Sequence, residues 1–299
     1  MYKSIFYLAA CCLLMSASDA SAQNTIRLFF MGGQSNMDGY GMNADLPASL
    51  NKAFRNVWIF HGNPAPDGNR AGGLGKWEPL MPGHGAGFKF DGQNNVLSDR
   101  FGPELNFAKR LSELYPGEKI AIIKYSRGGS SIDSVAAGEY GSWDPDYPGI
   151  NQYDHFLKTV RLAFEDSDIN NDGQIDHLIP SGIIWMQGES DANYDEAVAN
   201  RYYENLYQLM QLIRAAFRAD DIPVILGKIS DSWTDTDGLV WDYGDVVKAA
   251  QEKFVRLDGH ADIVRTTKYY RYSDVAHYTS NGYIDMGLKF AEAIFYLPK

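Results

Sequence analysis

The sequence predicts an α/β fold in which a central parallel sheet is covered by helices on both faces. Two observations carry this. Five short apolar runs recur along the chain: "TIRLFFM" (Thr25 to Met31), "KIAIIKY" (Lys119 to Tyr125), "IPSGIIWM" (Ile179 to Met186), "IPVILGKI" (Ile222 to Ile229) and "ADIVRT" (Ala261 to Thr266). They are continuous rather than alternating, as strands buried on both faces should be. Between them lie helix-period segments, so the strands and helices alternate as a parallel sheet with crossover helices requires.

The helical segments are "PELNFAKRLSELY", "DHFLKTVRLAFED", "EAVANRYYENLYQLMQLIRAAFR", "DVVKAAQEKFVRL" and "NGYIDMGLKFAEAIFYL". The stretch 43–101 breaks the rhythm. It is rich in Gly, Pro and Asn, with "VWIF" as its one convincing strand, and reads as an irregular insertion near the site that carries a small hairpin.

Residues 1–22, "MYKSIFYLAACCLLMSASDASA", combine an early lysine, a short apolar run and an Ala-Ser-Ala ending, the pattern of a secretory signal peptide cleaved after Ala22. The apolar run is too short to span a bilayer. "LAAC", ending at Cys11, fits a bacterial lipoprotein signal as the second reading. The mature chain is expected to be secreted or periplasmic and to run as a single domain over 23–299. Both cysteines, Cys11 and Cys12, fall inside the signal, so the mature chain would form no disulfide and no thiolate metal site.

The net charge is −11, and loss of Lys3 and Asp19 with the signal leaves it unchanged. Such a surface repels phosphate backbones and anionic lipid, which argues against nucleic-acid partners and membrane insertion of the mature chain.

Polar clusters gather where the strands end, the edge at which such sheets bind ligands. "GGQSNM" places Ser35 after the first strand; by itself this is an ordinary turn or N-cap serine. "YSRGGSSI" follows the second strand, where Gly128 or Gly129 can bring a backbone N–H close to a ligand oxygen. "WMQGESDAN" follows the third and presents Gln187, Gly188, Glu189, Ser190 and Asp191; Ser190 or Asp191 would cap the long helix that follows. Beyond the last strand, "YSDVAHYTSNGY" sets Asp274 three residues before His277, a spacing that lets a carboxylate hold one imidazole nitrogen while the other faces a serine.

These four stretches, in this order, resemble the SGNH (GDSL-type) hydrolases, and within them the carbohydrate acetylesterase branch that includes acetylxylan esterases and sialate O-acetylesterases. "GQSNM", "RGGSS", "QGES" and "DVAH" are similar to that branch's blocks and span almost the whole mature chain. The resemblance implies a flavodoxin-like three-layer α/β/α sandwich, a Ser35–His277–Asp274 triad, and an oxyanion hole from the N–H groups of Ser35 and Gly129 and the amide of Gln187. It also implies an acetyl-serine intermediate, an acetylated oligo- or polysaccharide substrate, and no cofactor for catalysis. The third block departs from the wider superfamily, with Ser190 standing where an asparagine is usual. Met37 occupies the last glycine position of a G-x-S-x-G elbow, which disfavours the α/β-hydrolase fold.

The expected function is a secreted serine esterase removing O-acetyl groups from acetylxylan or a related glycan. The alternatives are a sialate O-acetylesterase, a carbohydrate-binding protein on the same scaffold with catalysis lost, and a hydrolase of lipid or small esters. Asn36 and Glu189 are expected to brace their blocks, Arg127 is an exposed loop cation or a reader of a sugar carboxylate, and one or two of Trp77, Trp143, Trp233 and Trp241 are expected to contact sugar. "DINNDGQIDHLI" offers Asp168, Asn170, Asp172, Gln174 and Asp176 at calcium-loop positions, with Ile179 where a bidentate acid belongs. A structural calcium and a solvated Asx turn are the two readings of it.

Overall fold

The structure is a computed structural model that describes residues 24–236 and 238–298; the expected signal peptide and both cysteines lie outside them. Seven strands form the main sheet: β1 (Asn24–Gly33), β2 (Val57–His61), β3 (Trp77–Pro79), β4 (Lys119–Ser126), β5 (Asp176–Met186), β6 (Val224–Gly227) and β7 (Ala261–Val264), in the order β7-β6-β5-β1-β4-β2-β3. All pairings are parallel except β2 with β3. All five predicted strands are present.

The segment 43–101 is less of an appendage than its composition suggests. "VWIF" becomes β2 and adds to the sheet beside β4, and β3 closes that edge. The expected hairpin is there as Lys89–Phe90 paired with Asn95–Val96, and Gly41–Met42 pairs with Arg100–Phe101. Without β2 and β3 the strand order is that of flavodoxin, whose ligands sit at the point where successive crossovers turn to opposite sides of the first strand. Here that point lies between the carboxyl ends of β1 and β5.

The helices α1 (Ser35–Asp38), α2 (Glu104–Leu114), α3 (Gln152–Glu165), α4 (Glu189–Ala192), α5 (Glu196–Ala216), α6 (Gly244–Asp258) and α7 (Ser280–Tyr296) occupy the predicted segments, with two short additions at the strand ends. Neighbours on β1 show why its apolar run is continuous. Phe29 meets Phe107 of α2 at 5.3 Å, whereas Phe30 meets Phe156 of α3 at 4.8 Å. Each strand face therefore buries its side chains under a different helical layer. Ile294 of α7 packs over Gly182 and Phe29, which puts α7 beside α2. The α5–α6 pair covers the opposite face with α3. β5 starts three residues earlier than its apolar run, and the register shifts where Leu28 pairs with Pro180 and Phe29 with Gly182, a bulge that accommodates the proline. No described helix is long and apolar enough to cross a membrane.

Candidate active site

Ser35 is delivered by the exit from β1. A Cβ on Gly33 would lie 2.0 Å from the Met186 carbonyl, so only glycine lets β1 run this close to β5. The next amide, Gln34 N–H, donates to the same carbonyl at 2.9 Å. Ser35 then opens α1, a helix of one turn whose first N–H groups have no intrahelical acceptor. Asn36, one position on, is fully inside: its Nδ2 donates to Glu189 Oε1 (2.8 Å) and to the Ala276 carbonyl (3.1 Å), and its Oδ1 accepts from Tyr283 Oη (2.8 Å). Asn36 and Glu189 thus tie three sequence blocks together, as expected. Burial raises the Glu189 carboxyl, opposed by the Asn36 amide.

The Asp274–His277 turn is built by one carboxylate. Asp274 Oδ1 accepts from the backbone N–H groups of Ala276 and His277, both at 2.8 Å, and Oδ2 lies 2.8 Å from His277 Nδ1. Burial raises the Asp274 carboxyl, but the His277 ring and the two amides outweigh it and hold it below its ordinary value. An ionised Asp274 accepts only, so Nδ1 carries a proton, and in the neutral imidazole the lone pair is on Nε2. Tyr40 stacks on the ring at 3.5 Å and 6°.

Ser35 and His277 line one cavity of about 410 Å³, together with Gln34, Asp38, Arg127 and Gly129. It opens at the carboxyl ends of β1, β2, β4 and β5, the edge and the switch point that the topology singles out. Of the two glycines left open by sequence, Gly128 gives its N–H to Asp38 Oδ2 at 2.8 Å. Gly129, at φ +76°, lines the cavity, and a Cβ there would meet Tyr140 at 2.3 Å.

Gln187 does not match its expected place. Its Nε2 donates to Asp191 Oδ2 (2.6 Å) and Ser130 O (3.2 Å), its Oε1 accepts from Tyr202 Oη (3.0 Å), and the residue is fully buried away from the cavity. The amide that does reach the cavity wall belongs to Gln34. Its Oε1 accepts from Gly188 N–H (3.2 Å) and Ser190 N–H (3.4 Å), which leaves the Nε2 amide to donate toward the cavity. The sequence puts Gln34 beside Ser35, but a glutamine beside a strand end carries no signal of direction.

Asp191 is not a helix cap either. It accepts from Ile132 N–H, Asp133 N–H and Gln187, and burial pushes its carboxyl up to about 7. Asp195 caps α5 through Val198 N–H at 2.7 Å. Among the four loop tryptophans, Trp77 and Trp143 belong to the core, Trp233 is exposed, and Trp241 lines the cavity. Arg127 also lines it, with its guanidinium 5.2 Å from the Tyr140 ring centroid.

The 168–176 loop is tied by hydrogen bonds between its side chains and its own backbone. Asp168 accepts from the N–H groups of Asp172 and Gly173, Asn170 from Asp172 N–H, Asp172 from Gln174 N–H, and Asp176 from Ile169 N–H and Asn170 Nδ2. Among the described residues no group of three His, Cys, Asp or Glu side chains is placed to hold a metal. The bonds from Asp168, Asn170 and Asp172 to backbone N–H groups two to five residues on are those of Asx turns.

Comparison with known proteins follows the same line. The sequence matches the family described as carbohydrate esterase, sialic acid-specific acetylesterase over residues 25–296. The fold is similar to a protein from Arabidopsis thaliana (TM-score 0.62, 21% identity, 90% of this chain and 97% of that one). It is similar to a carbohydrate acetylesterase from Xanthomonas citri (TM-score 0.62, 19% identity, 90% of this chain and 56% of that one). It is also similar to NanS (TM-score 0.58, 15% identity, 91% and 97%). No curated protein gives a match. A cavity that joins a serine at the first strand end to a carboxylate-held histidine, within a family match covering nearly the whole sequence, makes the chain a member of the sialic acid-specific acetylesterase family of carbohydrate esterases, and so a carboxylic ester hydrolase.

Proposed function

We propose that the protein removes O-acetyl groups from an acetylated oligo- or polysaccharide by way of an acetyl-Ser35 intermediate. The observation that carries this is the shared cavity of Ser35 and His277, with Asp274 holding His277 Nδ1 from behind at 2.8 Å. A serine hydroxyl is a weak nucleophile at neutral pH, so His277 Nε2 takes its proton as Oγ attacks the acetyl carbonyl. Asp274 fixes the tautomer and stabilises the imidazolium. Oxyanion charge meets the N–H groups of Ser35 and Gly129, with Gln34 Nε2 as the side-chain donor in place of Gln187. His277 returns its proton to the sugar oxygen as it leaves. A water activated by the same imidazole then releases acetate and restores Ser35.

The cavity favours a neutral sugar. Asp38 shares its wall with Arg127, the one Lys or Arg among the described lining residues, and the chain is strongly acidic. Arg127 also supports a second reading, an acetylated sugar acid whose carboxylate it would pair. Residues 1–22 support export. The test is acetate release from acetylated xylan, an O-acetylated sialic acid and p-nitrophenyl acetate, run beside Ser35→Ala. Activity on xylan that Ser35→Ala abolishes is the expected result. Release from the sialic acid alone selects the second reading, and no Ser35-dependent release from any of the three overturns the proposal.

A further inference from the structure

β2 ends at the cavity with His61, and the insertion places two more titratable groups in line behind it. His61 is 3% exposed and lines the cavity. Its Nδ1 lies 3.3 Å from Nδ1 of the fully buried His84. His84 Nε2 in turn lies 3.3 Å from Glu78 Oε1, an ion-pair approach outside hydrogen-bond geometry, and neither atom has a hydrogen-bond partner among the described residues. Phe88 stacks on the His61 ring at 3.8 Å and 13° and fixes its plane. The buried Lys124 ammonium donates to the His84 carbonyl at 2.8 Å, anchoring the segment.

The protons along this line are set from its outer end. Burial raises the Glu78 carboxyl, but His84, Asn95 and Lys76 outweigh it and hold it below its ordinary value, so it is an acceptor only. A lone pair on His84 Nε2 facing that carboxylate would be repelled, so Nε2 carries the proton. With that proton on Nε2, the neutral His84 ring presents Nδ1 as an acceptor, to which His61 donates from its own Nδ1. That leaves His61 Nε2 with a lone pair. It has no protein partner and is not among the sealed unpartnered atoms, so it is the ring nitrogen that meets the cavity. Burial above all, with the Lys124 ammonium, holds the His61 imidazole neutral.

We propose that His61 is a specificity-determining residue whose Nε2 accepts a hydrogen bond from a free hydroxyl of the sugar that carries the scissile acetyl group, with His84 and Glu78 as positioning residues that fix its tautomer. The substrate feature being read is a donor hydroxyl near the ester, which a sugar offers and a simple aryl ester lacks. A site built to bond a hydroxyl discriminates against ligands without one, because its buried acceptor is then left unpaired. The inference rests on the carbohydrate-ester reading above for its substrate, but not for its tautomer.

Two measurements separate those dependences. Long-range 1H–15N spectra of the wild type at pH 7 should show His61 protonated on Nδ1 alone. In parallel, kcat/KM is compared on an acetylated xylo-oligosaccharide and on p-nitrophenyl acetate. His61→Leu should lower the first about 10- to 100-fold and leave the second within a few-fold, and His61→Gln, whose Oε1 can stand in for Nε2, should recover the oligosaccharide. A His61 protonated on Nε2 overturns the proposal, as does an equal fall on both substrates or an unchanged oligosaccharide rate. If the wild type cleaves only the aryl ester, the carbohydrate reading fails, and the spectrum still decides the state of His61.

Discussion

Asn36 Nδ2 donates to the Ala276 carbonyl at 3.1 Å across 240 positions of sequence. One partner follows Ser35 and the other precedes His277, so this single bond couples the two halves of the site. Asn36→Ala removes it, strips Glu189 of its amide donor and leaves Tyr283 Oη without an acceptor. The expected cost is roughly 2–4 kcal/mol of stability, from buried polar groups left unpaired. Turnover should fall further than KM rises. Thermal unfolding and steady-state kinetics check both, and a variant of wild-type stability would contradict the bracing role.

Asp274→Asn tests the tautomer. An amide in place of the carboxylate can offer Nδ2–H to His277 Nδ1, which turns Nε2 into a donor that cannot take the serine proton. The expected loss is about 10³- to 10⁴-fold in kcat with little change in KM. A loss below tenfold would remove Asp274 from the machinery.

The two glutamines should separate by readout. Gln34→Leu takes the amide from the cavity wall and is expected to lower kcat about 100-fold, the scale of one lost oxyanion donor. Gln187→Leu leaves Asp191 and Tyr202 short of partners and should lower the melting temperature more than the rate. The reverse ranking in kinetics would restore Gln187 to the oxyanion hole.

Asp191 makes stability depend on pH in an unusual sense for a carboxylate. Burial lifts its folded value to about 7, against an ordinary 3.8. The folded protein therefore holds this proton between about pH 4 and 7 where the unfolded chain does not, and the contribution is full below that window and lost as pH rises through it. Neutral His61 and His155, held below 6.5 chiefly by burial, act the other way. Comparison with Asp191→Asn isolates the effect. The unfolding free energy of wild type minus variant should grow on going from pH 7 to 5, by at most about 1.4 kcal/mol per pH unit. A constant or shrinking difference in denaturant titrations would contradict it.

The sheet and its helices could be read in the sequence because each rests on a local signal. Phe29 and Phe30 are both apolar because helices cover both faces of β1, and that requirement is written residue by residue. The Asp274–His277 pairing was legible for the same reason, since three residues of turn bring the groups together. Hidden were the features decided by distant partners. Lys124, in the middle of an apolar run, is fully buried against Glu104 at 2.8 Å and the carbonyls of Asp38 and His84, and its run gave no hint of an ion pair. Gln187 and Gln34 carry the same amide, and only the placement of Asp191, Ser130 and Tyr202 turns one inward. The 43–101 segment looked irregular because β2 pairs with a strand some sixty residues later, which no local pattern records.

The central claim is that His277 makes Ser35 nucleophilic. It is tested most directly by treating the protein with a fluorophosphonate and mapping the modified peptide by mass spectrometry, in wild type and His277→Ala. The account predicts a single adduct on Ser35 that forms at least 100-fold more slowly in the variant, on the scale of general-base assistance. An adduct elsewhere, or one on Ser35 that forms equally fast without His277, would contradict it.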